Sequence, residues 1–372
     1  MYKRTLHTVI ESVLPTGRAI VVMGPRQVGK TTLIKSILSG QDYLFLNADD
    51  PVVKARLTHV NTAELRSIIG KYRVVFIDEA QRIPGIGLTL KLITDEFPDV
   101  QLFVSGSSSF DLAGTVSEPL TGRKWEYVLY PVSWEEYEDK HGYLFAEQQL
   151  ENRLLYGFYP EVLNHPGEER MYLEELVNSY LYRDILAYGE IRKPDLLEKL
   201  LEALALQVGS EVSYHELAQL CGIDQKTVQK YIALLEKGFV IFRLRSYSRN
   251  LRNEIKRNRK IYFYDNGIRN AVIGNFTDLN LRQDKGALWE NFLISERLKQ
   301  NQYKQTYAKM FFWRTKQQQE VDLVELKDGK ITGFEFKWKA KPHTRLSRTF
   351  LKNYQAEEKM IDRSNFREFV VL

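Results

Sequence analysis

Near the amino end the sequence runs Gly24-Pro25-Arg26-Gln27-Val28-Gly29-Lys30-Thr31. It matches G-x-x-x-x-G-K-[ST], a loop whose backbone N–H groups wrap a polyphosphate. The flanks suit it. An apolar run (Ala19, Ile20, Val21, Val22, Met23) feeds into the loop, and a helical pattern (Thr32, Leu33, Ile34, Ile37, Leu38) leaves it. Glycine removes the Cβ that would block close approach of the backbone. The following helix start adds a positive dipole end. Lys30 supplies a point charge for β- and γ-phosphates, and Thr31 a hydroxyl for Mg²⁺. The candidate ATP-binding set is therefore Gly24, Pro25, Arg26, Gln27, Val28, Gly29, Lys30, Thr31 and Thr32.

A second run, Val74-Val75-Phe76-Ile77-Asp78-Glu79, is apolar and ends in two acids. Such runs read as strands buried on both faces of a parallel sheet. Asp78 then joins Thr31 around Mg²⁺, and Glu79 polarises the attacking water. A third run, 100–104, leads into Ser105-Gly106-Ser107-Ser108-Ser109. These serines read equally as a turn and as contacts to the γ-phosphate or the water.

With 372 residues, two or three domains are expected. The net charge of +5 is mild, so the location of basic residues matters more than their total. A lone cysteine, Cys221, excludes an internal disulfide framework and suits a reducing compartment. Glu11 interrupts any apolar stretch near the start, so no signal peptide is evident and a cytoplasmic location is expected. No run approaches the roughly 18 apolar residues of a membrane span.

Candidate strands at 19–23, 43–47, 74–78, 101–105 and 126–130 alternate with amphipathic stretches. This predicts a doubly wound α/β core over 1–137. Residues 138–194 read as a helical region, and Pro194 marks its end. Residues 195–265 read as a compact winged helix-like unit. Ser213 and Asp224 cap two helices across a turn at Gly222, which is helix-turn-helix spacing. Strand-like runs follow at 239–247 and 261–264. Between them lie Arg249, Arg252, Lys256, Arg257, Arg259 and Lys260 against a single acid, Glu254. Gln225, Lys226, Gln229 and Lys230 form the polar side of the second helix, which can enter a major groove while the basic tip meets phosphates. A protein-contacting role is the other reading.

Residues 266–372 are mixed α/β. Glu290 falls near the start of a helix, Asp322 on one strand, and Glu335-Phe336-Lys337 on the next. A hairpin around Asp328-Gly329 sets Asp322 beside Glu335, and strand alternation puts Lys337 on the face of Glu335. Carboxylates converging there can hold Mg²⁺ or Mn²⁺, with Lys337 beside them. An ordinary strand pair with alternating charges is the competing reading.

Helix acid, strand acid and E-x-K together resemble the PD-(D/E)xK nuclease-like fold, with Val321 standing where that pattern has proline. Over nearly its full length the chain resembles a bacterial and archaeal family that joins an AAA-type P-loop ATPase to a DUF4143 domain. The residues that carry this are 24–31, 74–79, 105–108, Leu120-Thr121-Gly122-Arg123, Pro131-Val132-Ser133-Trp134-Glu135-Glu136-Tyr137, Trp289-Glu290-Asn291 and the tail acids. The resemblance implies ATP binding, hydrolysis and a restriction-endonuclease-like end. AAA-type sites take an arginine from a neighbouring subunit, and Arg123 is the candidate for that role or for a sensor in its own chain; a surface salt bridge is the alternative. Two functions remain open: a DNA-associated ATPase with a nuclease-like domain, or a nucleotide-controlled switch whose nuclease-like domain is inactive. A homo-oligomer or a protein partner fits either.

Overall fold

The computed structural model describes residues 2–107, 120–178, 193–248, 259–339 and 345–371. It separates into two compact units. The first comprises 1–131 with 237–239, and the second 132–236 with 240–372.

In the first unit, β1 (Ala19–Met23), β2 (Leu44–Asn47), β3 (Val74–Asp78), β4 (Gln101–Gly106) and β5 (Lys124–Val128) form a parallel sheet in the order β2-β3-β4-β1-β5. All of β1 and most of β3 and β4 are buried, which is why they read as continuous apolar runs. The strand order reverses around β1. In open α/β sheets, ligands sit beyond the carboxyl ends of strands at such a point.

The loop leaving β1 has no room for a side chain at its first residue. Leu129 donates its N–H to Met23 O at 2.8 Å. A Cβ on Gly24, whose φ is +145°, would stand 2.1 Å from the Leu129 carbonyl oxygen. Buried Arg4 braces the same loop by donating to Val28 O at 2.8 Å and to Tyr130 O at 2.6 Å.

In the second unit, β6 (Glu211–Val212), β7 (Ile241–Ser246), β8 (Arg259–Phe263), β9 (Lys309–Arg314), β10 (Glu320–Lys327), β11 (Lys330–Phe336) and β12 (Glu357–Ile361) share one mixed sheet. Its order is β12-β11-β10-β9-β7-β8-β6. Strands β7 and β8 are thus continuous with the tail strands β9, β10 and β11, through parallel pairing of Arg245 with Phe311 and Ser246 with Phe312. Helices Tyr214–Cys221 and Gln225–Lys237 are joined at Gly222, whose φ is +68°. Asp224 caps the second by accepting from the Lys226 and Thr227 N–H groups. Residues 132–137 pack in this second unit: Trp134 lies edge-on to Phe158, Phe292 and Phe366. Among the described residues no helix is long and apolar enough to cross a membrane.

Candidate nucleotide-binding site

Register brings the candidate residues to one edge of the first sheet. Met23 pairs with Gly106, Ile77 with Val104, and Asn47 with Asp78. The loop after β1, the acids at the end of β3 and the serines at the end of β4 therefore share the carboxyl end.

Lys30 opens the helix Lys30–Ile37, whose N-cap Gly29 sits at φ +92°. With 5% exposure, its Nζ donates to Gly24 O at 3.1 Å and to Pro25 O at 2.7 Å. Burial lowers its pKa to about 8, while Glu79 and Asp78 partly oppose the shift and Arg26 adds to it. Burial away from water disfavours the charged ammonium. Thr31 Oγ1 donates to the Asp78 carboxylate at 3.0 and 2.9 Å. Ser105 Oγ donates to Asp78 Oδ1, and in turn accepts from the Glu79 N–H at 3.2 Å. A hydroxyl and a carboxylate from two elements thus converge beside the ammonium, a donor set that fits a phosphate-bound Mg²⁺. Gln27 and Thr32 are exposed, Arg26 is half-buried and Val28 is buried.

Lys30 binds fewer protons folded than unfolded between about pH 8 and its ordinary value of 10.5. Its burial therefore costs the empty protein on the order of 3 kcal/mol below pH 8, a cost relieved as pH rises toward 10.5. Phosphate oxygens favour the ammonium, so Mg·ATP binding at pH 8.5–9 should take up a proton. Calorimetry in buffers of different ionisation enthalpy measures this; buffer-independent heats would contradict it.

Glu79 follows β3 with φ +53°, a left-handed conformation that is uncommon for a side-chain-bearing residue. Its Oε2 accepts from Gln81 Nε2 at 2.5 Å, and the same nitrogen donates to Ser107 Oγ at 2.8 Å. Arg123 is not brought to this edge in its own chain. It directly precedes β5, and its carbonyl accepts from Ala19 N–H at the amino end of β1. There it pairs with Asp95 at 2.5 Å, both side chains being partly exposed. That position lies at the opposite end of the sheet from the P-loop edge, where a sensor in its own chain would act.

Of the basic residues at 249–260, Arg249, Arg252, Lys256 and Arg257 lie outside the described residues. Arg259 donates to Tyr214 Oη at 3.2 Å. Lys260 requires a correction: it is no surface cation, being 1% exposed and ion-paired with Glu290 at 3.0 Å and with Glu320. Burial opposes its charge, but Glu290, Glu320 and Asp322 outweigh that and hold its pKa above the usual value.

In the tail, β10 and β11 form the expected hairpin, with Leu323 opposite Phe334 and Lys327 opposite Lys330. Asp322 accepts from Phe336 N–H at 2.8 Å. Burial, then Glu290 and Glu335, push its pKa well above the carboxylate range. The acids do come near one another, yet cations already engage most of them. Glu290 also accepts from Tyr262 Oη at 2.7 Å, and Lys337 donates to Glu335 at 2.7 Å. Among the described residues no group of three or more His, Cys, Asp or Glu is placed to hold a metal ion. As placed, these residues do not fit a second metal.

Residues 16–138 match an AAA domain family. Residues 147–279 and 285–369 match domains of unknown function, DUF8612 and DUF4143. An uncharacterized protein of Mycobacterium tuberculosis is 28% identical over 331 residues, spanning 87% of this chain and 71% of that protein. Another, of Methanocaldococcus jannaschii, is 22% identical over 320 residues, spanning 79% and 69%. Among solved structures, the Walker-type ATPase of Pyrococcus abyssi is 16% identical, with a TM-score of 0.49, covering 73% of this chain and 96% of that one. The first unit is an AAA-type ATPase-like fold with a P-loop, and the AAA match implies nucleotide binding.

Proposed function

We propose that the protein binds and hydrolyses Mg·ATP and that its nucleotide state governs an association with DNA. The observation that carries the ATPase reading is the meeting of Lys30, Thr31, Asp78 and Glu79 at one sheet edge. Lys30 and the N–H groups of the loop hold the β- and γ-phosphates. Thr31 and Asp78 would hold the Mg²⁺, which when bound neutralises phosphate charge. Glu79 orients a water and takes its proton. The water oxygen attacks the γ-phosphorus, the bond to the β–γ bridging oxygen breaks, and ADP leaves.

DNA association rests on the helix Gln225–Lys237, which keeps Gln225, Lys226, Gln229 and Lys230 exposed behind a short turn. A second reading, a switch whose tail does not cleave, is favoured by the lysines engaging Glu290, Glu320 and Glu335. Phosphate release measured with and without double-stranded DNA at fixed salt tests both. The DNA-associated reading expects a DNA-raised rate. Turnover indifferent to DNA would refute it and leave the switch. DNA cleavage that needs metal and disappears in Asp322→Ala would refute the non-cleaving tail.

A further inference from the structure

The carboxamide of Gln81 does more than fill space beside Glu79. It is 7% exposed and sits in the single helical turn Ala80–Arg82. Its Nε2 reaches Glu79 Oε2 at 2.5 Å and Ser107 Oγ at 2.8 Å. The amide orientation follows from chemistry, because the opposite flip would set an oxygen against a carboxylate oxygen.

Resting on the ATPase reading above, we propose that Gln81 is a positioning residue for the Glu79 base. Its Nε2 fixes the Glu79 carboxylate and ties it to the end of β4. The strained φ of Glu79 turns its side chain back over the short helical turn, which is how two residues so close in sequence come to face one another. Ser107 makes the arrangement responsive to β4: a shift at that strand's end, such as contact with a γ-phosphate would produce, is passed through one side chain to the base.

Gln81→Met keeps length and removes both polar atoms. Steady-state turnover by this variant should show kcat reduced about tenfold or more, because a displaced base loses its near-attack geometry. The KM for ATP should stay within about twofold of wild type, since the phosphate contacts are untouched. Gln81→Glu, which keeps the shape but places a second carboxylate beside Glu79, should lose at least as much. It also serves as the informative variant if the methionine form does not fold. Combined with Glu79→Gln, Gln81→Met should cost little further, because it acts through that group. A purely structural role predicts losses that multiply, accompanied by a lowered Tm. Wild-type kcat in both single variants, or multiplicative loss in the double, would overturn the assignment alone. Absence of ATP turnover in the wild type would overturn the hydrolytic reading and this one with it.

Discussion

Replacing Lys30 with methionine is expected to abolish measurable Mg·ATP binding while leaving the empty protein folded. Removing one partner of a buried charge pair costs about 2–5 kcal/mol, which is roughly 30-fold to several thousand-fold in affinity. The variant also separates binding from stability. In the empty protein Lys30 is a fully buried cation whose pKa has fallen to about 8, so its charge opposes folding at neutral pH. Methionine removes that cost and gives up two hydrogen bonds, to Gly24 O and Pro25 O. These changes oppose one another, so the Tm without nucleotide should stay close to wild type, while the thermal shift on adding Mg·ATP disappears. A variant that keeps wild-type affinity by calorimetry would show that the ammonium does not face a phosphate.

Glu79→Gln should bind Mg·ATP as the wild type does and hydrolyse it about 10²–10⁴-fold more slowly, the usual contribution of a positioned general base. The surroundings tolerate this exchange. Gln81 Nε2 donates to Glu79 Oε2, and a glutamine can present its carbonyl oxygen to the same donor. The Glu79 main-chain N–H to Ser105 Oγ is unaffected. What changes is proton acceptance, so kcat should fall while affinity does not. Turnover equal to wild type would move the base to another residue.

The first unit was largely legible because its features are dictated by the backbone. Gly24 must be glycine against the Leu129 carbonyl, and strands buried on both faces write themselves as apolar runs. The acids after β3 reach the P-loop edge because parallel register aligns strand ends. Arg123 illustrates a signal present but unused: a residue just before a parallel strand lies at the amino end, opposite the P-loop. Gln81 carried no motif of its own. A glutamine two residues after an acid becomes informative only when a left-handed residue folds it back.

The second unit was less legible for a different reason. Its sheet depends on pairing between distant strands, β7 with β9, which no local periodicity encodes. Lys260 reads as one of a run of basic residues, yet β8 is buried at four of its five positions, so alternation gives no warning that this lysine points inward. Its partners Glu290 and Glu320 come from a separate helix and strand.

Whether the P-loop seats a nucleotide is decided by calorimetric titration of the intact wild-type chain with Mg·ATP. One saturable site per chain is predicted, lost in Lys30→Met. Heats no larger than dilution at millimolar Mg·ATP, from protein shown to be folded, would contradict it.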